Sequence, residues 1–583
     1  DGGDAISFYT SPTLDVSSRL GWASHADLRN DLILEDSSLL DTVAGGEGSS
    51  VVRGYIYYNM NLRPGSNGYK SFRPSAQVDV KYVSKAELNS TTGQWSITTD
   101  EVTIWTFSDI DAGTTGAAEN VALNFAGGGQ DITKPTFVDF SGAAGSDSTF
   151  FVGSPLSIEG GGLEVRAPIM DFNANVAADG DIELVTQGDG SGDVDRGIFI
   201  RRELHAGGSD VQITSQGADV RMEEGAEIGS NNGGSLANFS VDLTDASLFV
   251  SGEVDAATHS ILMRGTSMGA GALTRKVSTV DPSTGLQSGL LTGGELTMSL
   301  NNDVADLGGT LVEEDGVIDL RTDVNTLRVS TGNSDTALDY GISVVNTGSM
   351  TIDAVMASEG QINLESTAGT LDIQAVIDTA GGVALKSSDN LTIVSQLESG
   401  QGLVSIESAG DVNVNAAITT SDAEGALDII AGGDVTITSL VASGEVVTVN
   451  AGGNIATVNT TSVIEGPSAS LTAGGTIDVG LELADGAPGA VIASSGGDMT
   501  LREYIAEYTE DDLLPGTYFR NDPFVLANLD TTDGSITVES IRSIEALDVV
   551  AGGTGGVSLT TTQGEIEIFD VIAKEYSLTK SLV

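Results

Sequence analysis

The sequence predicts an all-β protein, a right-handed parallel β-helix (β-solenoid) of about 20–23 residues per coil, preceded by an N-terminal β-rich cap or sandwich-like region. Three observations carry this prediction. A glycine-led motif of alternating polar and aliphatic residues recurs along the C-terminal two-thirds of the chain. Its copies keep a long-range spacing, and the chain has no cysteine and only 5% aromatic residues. A thin core of small aliphatic side chains fits that composition.

The motif is Gly-x-Φ-x-Φ, where Φ is Val, Ile, Leu or Met, as in Gly410–Val414, Gly433–Ile437 and Gly475–Val479. Apolar and polar residues that alternate over four or five positions predict a short, half-buried strand. The leading glycine, often part of Ala-Gly-Gly-Asp, predicts a turn with a tight backbone. The recurring Asp is typical of a turn former and also adds solubilising charge.

The spacing of the motif predicts how its strands pair. Between residues 369 and 497 the steps alternate between 8 and 12–15 residues, so every second copy lies 20–23 residues further along. Two interleaved strand series with one period indicate a chain that winds once per period. Strands and connections are too short to include helices. We therefore expect each strand to pair in parallel with the strands one coil earlier and one coil later.

The composition predicts five segments along the chain. Region 1–155 contains all three Trp and six of the eleven Tyr, which favours an antiparallel β cap or docking domain, or a few wide coils. The segments that follow are an irregular solenoid with insertions at 156–340, a regular solenoid at 341–501, an inserted aromatic loop at 502–530 and C-terminal coils at 531–583.

The Ala-Gly-Gly-Asp-Val-Thr-Ile type of repeat, at 431–437, resembles the filamentous-haemagglutinin-like repeats of large bacterial adhesins. It is also similar to other right-handed parallel β-helices of surface proteins. The resemblance covers residues 340–583 well and 160–340 loosely. It implies a secreted, rod-shaped stalk with adhesive or surface-coat roles. The secretion domain that begins such adhesins is not evident in this sequence.

The charge balance excludes several classes of partner. The chain has 25 Lys and Arg against 83 Asp and Glu, a formal net charge of −58. Phosphate recognition needs basic patches, so nucleic acid and anionic membrane surfaces are excluded. No apolar run is long enough for a membrane-spanning helix. Three His and no Cys argue against histidine- or cysteine-rich metal sites.

One acidic turn is a candidate calcium site. Asp189, Ser191, Asp193 and Asp195 alternate with glycines and Val194, and hard cations bind several oxygen ligands from a flexible loop. The EF-hand pattern fails, because Val194 stands where its glycine belongs and Ile200 where its glutamate belongs. A solvated turn between coils is the alternative. Ca²⁺ is the one cofactor that the sequence suggests.

Segment 502–530 is a candidate interaction loop. Aromatic and Arg side chains on a protruding loop are typical of a protein interface or a carbohydrate contact. The alternative is an insertion that packs its aromatics on the rod. The residues are Tyr504, Tyr508, Tyr518, Phe519, Arg520 and Phe524.

The sequence therefore favours a non-enzymatic, extracellular or cell-surface protein, the stalk of an adhesin or an extracellular fibre. Its partners would be further copies of itself, packed end to end or laterally, other cell-surface components, or carbohydrate. A surface-layer or filament subunit stabilised by divalent cations is the first alternative. A polysaccharide-active β-helix enzyme or a phage tail fibre is the second.

Overall fold

The computed structural model of the chain describes its residues in segments, and all of them lie in strands or in the turns and bends between strands. The described part contains no helix, which confirms the all-β prediction. The described residues are 55–56, 70–72, 78–89, 94–106, 121–125, 130–132, 135–139, 149–187, 196–207, 209–230, 236, 238–244, 246–256, 259–266, 276–280, 287–301, 317–331, 341–357, 360–400, 402–420, 426–459, 462–483, 490–503, 523–562 and 564–580.

The chain divides into two compact units, Asp1–Gly294 and Glu295–Val583. The first strands are β1 Tyr55–Ile56, β2 Lys70–Phe72, β3 Val78–Asn89, β4 Gln94–Thr106, β5 Val121–Phe125, β6 Gln130–Ile132, β7 Thr136–Asp139, β8 Thr149–Val152, β9 Leu156–Ile158, β10 Leu163–Arg166, β11 Ile169–Phe172, β12 Val176–Ala178, β13 Ile182–Gln187, β14 Gly197–Ile200, β15 Leu204–Ala206, β16 Val211–Gln216, β17 Asp219–Met222, β18 Glu227–Ser230, β19 Asn238–Thr244, β20 Leu248–Val250, β21 Glu253–Asp255, β22 Ser260–Thr266 and β23 Lys276–Ser278. The later strands are β24 Leu290–Asn301, β25 Val317–Thr331, β26 Ile342–Asn346, β27 Met350–Ala357, β28 Ile362–Ser366, β29 Leu371–Ile373, β30 Ile377–Thr379, β31 Val383–Ser387, β32 Leu391–Ile393, β33 Leu397–Ser399, β34 Val404–Ser408, β35 Val412–Val414, β36 Ile418–Thr420, β37 Leu427–Ala431, β38 Val435–Ile437, β39 Val441–Ala442, β40 Val446–Ala451, β41 Ile455–Thr457, β42 Ile464–Gly466, β43 Ser468–Ala473, β44 Ile477–Leu483, β45 Ala490–Ser495, β46 Met499–Glu503, β47 Phe524–Thr531, β48 Ile536–Ser540, β49 Ile544–Ala546, β50 Val549–Ala551, β51 Gly556–Thr561, β52 Ile566–Ile568, β53 Val571–Ile572 and β54 Glu575–Lys580.

Within the second unit, each strand pairs in parallel with the strand one repeat earlier. Val383 lies beside Ile362, and Val404 beside Val383, each 21 residues further along the chain. The next two steps, to Leu427 and Val447, are of 23 and 20 residues. These offsets confirm the parallel pairing and the period that the motif spacing predicts.

Each regular repeat has three strands, not the two that the motif spacing predicts. The third strand is only two or three residues long, and its series is β30, β33, β36, β39 and β42. It contributes few inward aliphatics, such as Ile377 or Leu397, and no glycine leads it. The Gly-x-Φ-x-Φ pattern therefore misses it.

The first unit combines two kinds of pairing. β3 and β4 form an antiparallel hairpin, with Val78 beside Ile104 and Asn89 beside Gln94. Parallel pairing begins upstream of residue 155, where Lys70 of β2 lies beside Val121 of β5. From β7 onward it continues in repeats. The capping role expected for region 1–155 stays a prediction.

The core follows the alternation in the sequence. In β34, Val404 and Ile406 are fully buried and Ser405 between them is half-buried. Burying each such aliphatic side chain contributes about 1.5–3 kcal/mol before chain entropy is subtracted. The first unit also places aromatic rings in its core. Phe150 and Phe172 pack with ring centroids 5.7 Å apart.

The Gly-Gly-Asp turns form a ladder of side-chain hydrogen bonds along the second unit. The backbone N–H of Asp411 donates to Asn390 Oδ1, and that of Asp434 donates to Asp411 Oδ1, both at 2.8 Å. Asp434 Oδ1 accepts from the Asn454 N–H at 2.6 Å, and Asn454 Oδ1 from the Thr476 N–H at 2.8 Å. The recurring Asp and Asn residues thus satisfy backbone donors of the following repeat.

This ladder explains the glycine that precedes Asp411, Asp434 and Asn454. A Cβ at Gly433 would overlap Asp411 Oδ1, and a Cβ at Gly453 would overlap Asp434 Oδ1. The space that a side chain would occupy is already taken by the carboxylate of the preceding repeat. Glycine is therefore required there by close approach.

Candidate functional site

A surface cleft of about 470 Å³ lies in the second unit, against strands β24, β25 and β27 and the start of β30. Its volume falls within the range of ligand-binding pockets. The residues that line it are Thr297, Met298, Ser299, Arg328, Val329, Ser330, Asp353, Ala354, Val355, Met356, Ala375, Val376 and Asp378.

Arg328 on β25 joins two carboxylates beside this cleft. Its Nη2 lies 2.6 Å from Asp353 Oδ2, and its Nη1 forms a second ion pair with Glu295 Oε1. Thr297 Oγ1 also donates to Glu295 Oε1, at 3.0 Å. Hydrogen bonding and charge attraction from Glu295, followed by the charge of Asp353, raise the pKa of Arg328 above its usual value. The guanidinium therefore bridges two carboxylates from different strands.

A β-bulge sets the position of Asp353. Leu327 pairs with Ile352 and Arg328 with Ala354, so Asp353 is an extra residue on β27. A bulge re-aims side chains and often lies beside a functional site. Here it accompanies the contact between the Asp353 carboxylate and Arg328.

Part of the cleft lining is apolar. Met356 and Val376 are 60% and 59% exposed, among the largest exposed fractions of any aliphatic side chain in the described residues. The cleft thus combines a hydroxyl-bearing, charged side with an exposed aliphatic side. Asp378 lies on β30, where Glu398 on β33 is its neighbour in register.

A second polar cluster is buried near the C-terminal end of the second unit. Arg542 Nε pairs with Glu503 Oε1, and their side chains are 3% and 0% exposed. Ser540 Oγ also donates to Glu503, and the Arg542 carbonyl accepts from Thr561 Oγ1 at 2.6 Å. Because this pair is closed to solvent, it stabilises the fold around the end of β46 and cannot contact a ligand directly.

The first unit has an outward face of alternating aromatic and charged side chains. Five residues in register along β8, β11, β14, β17 and β20 form it: Phe151, Asp171, Phe199, Arg221 and Phe249. The Arg201 guanidinium lies 5.5 Å from the Phe199 ring centre, and that of Arg221 lies 5.7 Å from the Phe249 ring centre. Cation–π contacts of this kind stabilise half-exposed rings.

Sequence reasoning missed this face, although a signal was present. Phe199 and Phe249 are each the middle residue of an uninterrupted apolar triplet, Ile-Phe-Ile and Leu-Phe-Val. In a strand with two inward flanking residues, the middle residue must face outward.

The predicted calcium ligands Asp189, Ser191, Asp193 and Asp195 lie outside the described residues. The calcium site stays a prediction. Arg201, on the C-terminal side of these residues, forms ion pairs with two other acidic side chains. Its Nε lies 2.9 Å from Asp171 Oδ1, and its Nη1 pairs with Glu223.

Most of the predicted interaction loop also lies outside the described residues, including Tyr504, Tyr508, Tyr518, Phe519 and Arg520. Phe524 is described, and it is fully buried at the start of β47. It pairs in register with Ile544, so its ring belongs to the core and offers no surface to a partner. The strands bounding this segment end at Glu503 and begin at Phe524.

Three further findings bear on function. In the part of the chain that the structure describes, no three His, Asp or Glu side chains are grouped so as to hold a metal ion. Within the same residues there is no helix long and apolar enough to cross a membrane. Comparisons with protein-family models, curated proteins and solved structures find no match to this chain. The resemblance to haemagglutinin-like repeats therefore stays a hypothesis.

Proposed function

We propose that this chain is a secreted or cell-surface structural protein, a right-handed β-solenoid that forms the stalk of an adhesin or an extracellular fibre. The observation that carries the proposal is the parallel pairing of successive repeats from β28 to β40, at offsets of 20–23 residues. A stack of this kind grows by adding repeats, each of which contacts only its neighbours. Such an architecture separates and displays surfaces.

The side chains support a structural role for the stack. Its core is aliphatic, its turns are closed by the Asp and Asn ladder, and the ion pair of Glu503 and Arg542 is buried. These contacts stiffen the repeats, while the aromatic face and the cleft offer places for contact with other molecules.

Negative-stain images of the purified chain test this proposal. A stalk is expected to give isolated, elongated particles, and labelled protein is expected to bind cells or extracellular matrix. Regular lattices or filaments would instead identify a self-assembling surface-layer or filament subunit, the first alternative. Compact round particles would contradict both.

The cleft gives one specific reason to keep a polysaccharide-active enzyme as a second candidate. Glu295, Asp353 and Asp378 place carboxylates near one groove, and glycoside hydrolysis uses a pair of carboxyl groups. Arg328 pairs with Glu295 and Asp353 and not with Asp378, so these carboxylates stand in different environments, as separate acid and base roles require. Release of reducing or unsaturated sugar ends from polysaccharide would establish this candidate in place of the stalk.

A further inference from the structure

The charges beside the cleft are unbalanced. The cation Arg328 pairs with Glu295 and Asp353, and a third carboxylate, Asp378, also lines the cleft. Among the described residues, the exposed Asp378 carboxylate has no hydrogen-bond or ion-pair partner, and Glu398 beside it in register adds another negative charge. The unpaired carboxylate attracts a cation and repels an anion.

The shape of the cleft selects a ligand with an apolar face. Met356 and Val376 would lose exposed surface on contact, and burial of apolar area contributes roughly 25 cal/mol per Å². Beside them, the half-buried Ser330 offers a hydroxyl that can donate or accept. A ligand that fits both sides has hydroxyls at its edge and C–H groups on its face.

The backbone around the cleft argues against an extended peptide. A peptide usually binds a sheet by adding a strand to an open edge. Here β25 and β27 pair with each other from Thr326 to Thr331, and the N–H groups of Gln374 and Ala375 donate to Ile352. Recognition must therefore come from side chains on the face of the sheet.

We propose that this cleft binds an amino-sugar glycan, with a protonated amine on Asp378 and a sugar face against Met356 and Val376. The inference rests on the proposed surface role, for which it names the ligand class. Arg328 acts as a positioning residue, because it fixes Asp353 and Glu295 and keeps its remaining N–H donors beside the sugar hydroxyls.

Calorimetric titration of the full chain with a β-1,4-linked glucosamine hexamer tests the proposal. Mildly acidic pH keeps the amines protonated, and about 0.15 M salt screens attraction to exposed charges beyond roughly 8 Å. We expect one site per chain. Asp378→Asn should weaken binding about tenfold or more, because a charge-assisted hydrogen bond is lost. Glu445→Gln, a change at an exposed carboxylate that does not line the cleft, should leave binding unchanged.

Three comparison ligands decide the outcome. The N-acetylated hexamer should bind more weakly than the glucosamine hexamer, and oligogalacturonate should not bind. Hexalysine carries similar charge without sugar, so equal binding of hexalysine would overturn the proposal, as would an unchanged affinity in Asp378→Asn. If Asp378→Asn still binds cells, the proposal for the cleft is wrong, and the proposal that the protein is a stalk still holds. If the protein forms lattices and still binds the hexamer, the proposal that it is a stalk is wrong, and the proposal for the cleft holds.

Discussion

Asp434 has two functions in its turn. Its Oδ1 accepts from the backbone N–H and from the side-chain Nδ2 of Asn454, at 2.6 and 3.1 Å. The same atom occupies the space in which a side chain at Gly453 would lie. The glycine and the acidic residue of neighbouring repeats are therefore coupled positions, although the motif presents them as a single sequence element.

We expect Asp434→Ala to lower the free energy of unfolding by about 1 kcal/mol, the net value of a typical hydrogen bond. Hydrogen exchange at the Asn454 amide should become faster, because its acceptor is gone. Asp434→Asn retains an acceptor and is the matched control, with little change expected. Equal exchange rates in all three proteins would contradict the ladder.

A double-mutant cycle tests the coupling with Gly453. Gly453→Ala should lower the free energy of unfolding more in the wild-type background than in the Asp434→Ala background. The Asp434→Ala substitution removes the Oδ1 atom that the new methyl group would meet. Strictly additive changes in urea unfolding would show that the glycine is needed for another reason.

At the scale of strands, the buried ion pair joins two strand ends. Glu503 is the last residue of β46, and Arg542 lies two residues after the end of β48. Neither group reaches solvent, so each depends on the other for compensation of its charge. The pair links the last residue of β46 to the turn that follows β48.

We expect Arg542→Met to destabilise the second unit by about 3–5 kcal/mol, because it leaves the buried Glu503 carboxylate without a compensating positive charge. The double variant Glu503→Leu with Arg542→Met removes both charges and should recover most of that loss. Unfolding in urea measures both. A double variant as unstable as the single one would show that the ion pair itself, and not the uncompensated charge, carries the stability.

The strand register was largely predictable from sequence, because inward aliphatics recur at a fixed offset, as Val404 and Ile406 do. The third strand of each repeat was not predictable, because a single inward aliphatic such as Ile377 gives no alternation of apolar and polar residues. The cleft was also hidden. Motif residues 325–329 predict that Arg328 faces outward, but its partner Glu295 is 33 residues away, outside the period. The bulge at Asp353 shifts the register locally, which only the paired strands reveal.

At the scale of the whole chain, a net charge of −58 means that repulsion among like charges contributes strongly to the free energy of folding. Some carboxylates face each other directly, such as Asp378 with Glu398 and Glu465 with Glu482. Partial burial, and then the charge of Glu482, raises the pKa of Glu465. At these positions, acidic side chains of successive repeats are therefore stacked in register.

We expect NaCl to raise the urea midpoint of unfolding between about 0.01 and 0.15 M, because the screening length falls from about 30 to 8 Å. CaCl₂ at matched ionic strength separates screening from specific binding. A further rise, abolished by Asp193→Asn, would support the calcium site at Asp189–Asp195. A midpoint independent of salt would show that repulsion is already balanced in the folded chain.

Every side-chain acceptor of the turn ladder from Asn390 to Asn454 belongs to the earlier repeat, and every backbone donor belongs to the later one. Each inner repeat therefore presents a side-chain acceptor to the next repeat in chain order and a backbone donor to the one before it. Each new repeat has to close a loop of only about 20 residues onto a finished template, a small entropic step. Because each such step involves only neighbouring repeats, folding can propagate along the stack, and the number of repeats need not make it slow.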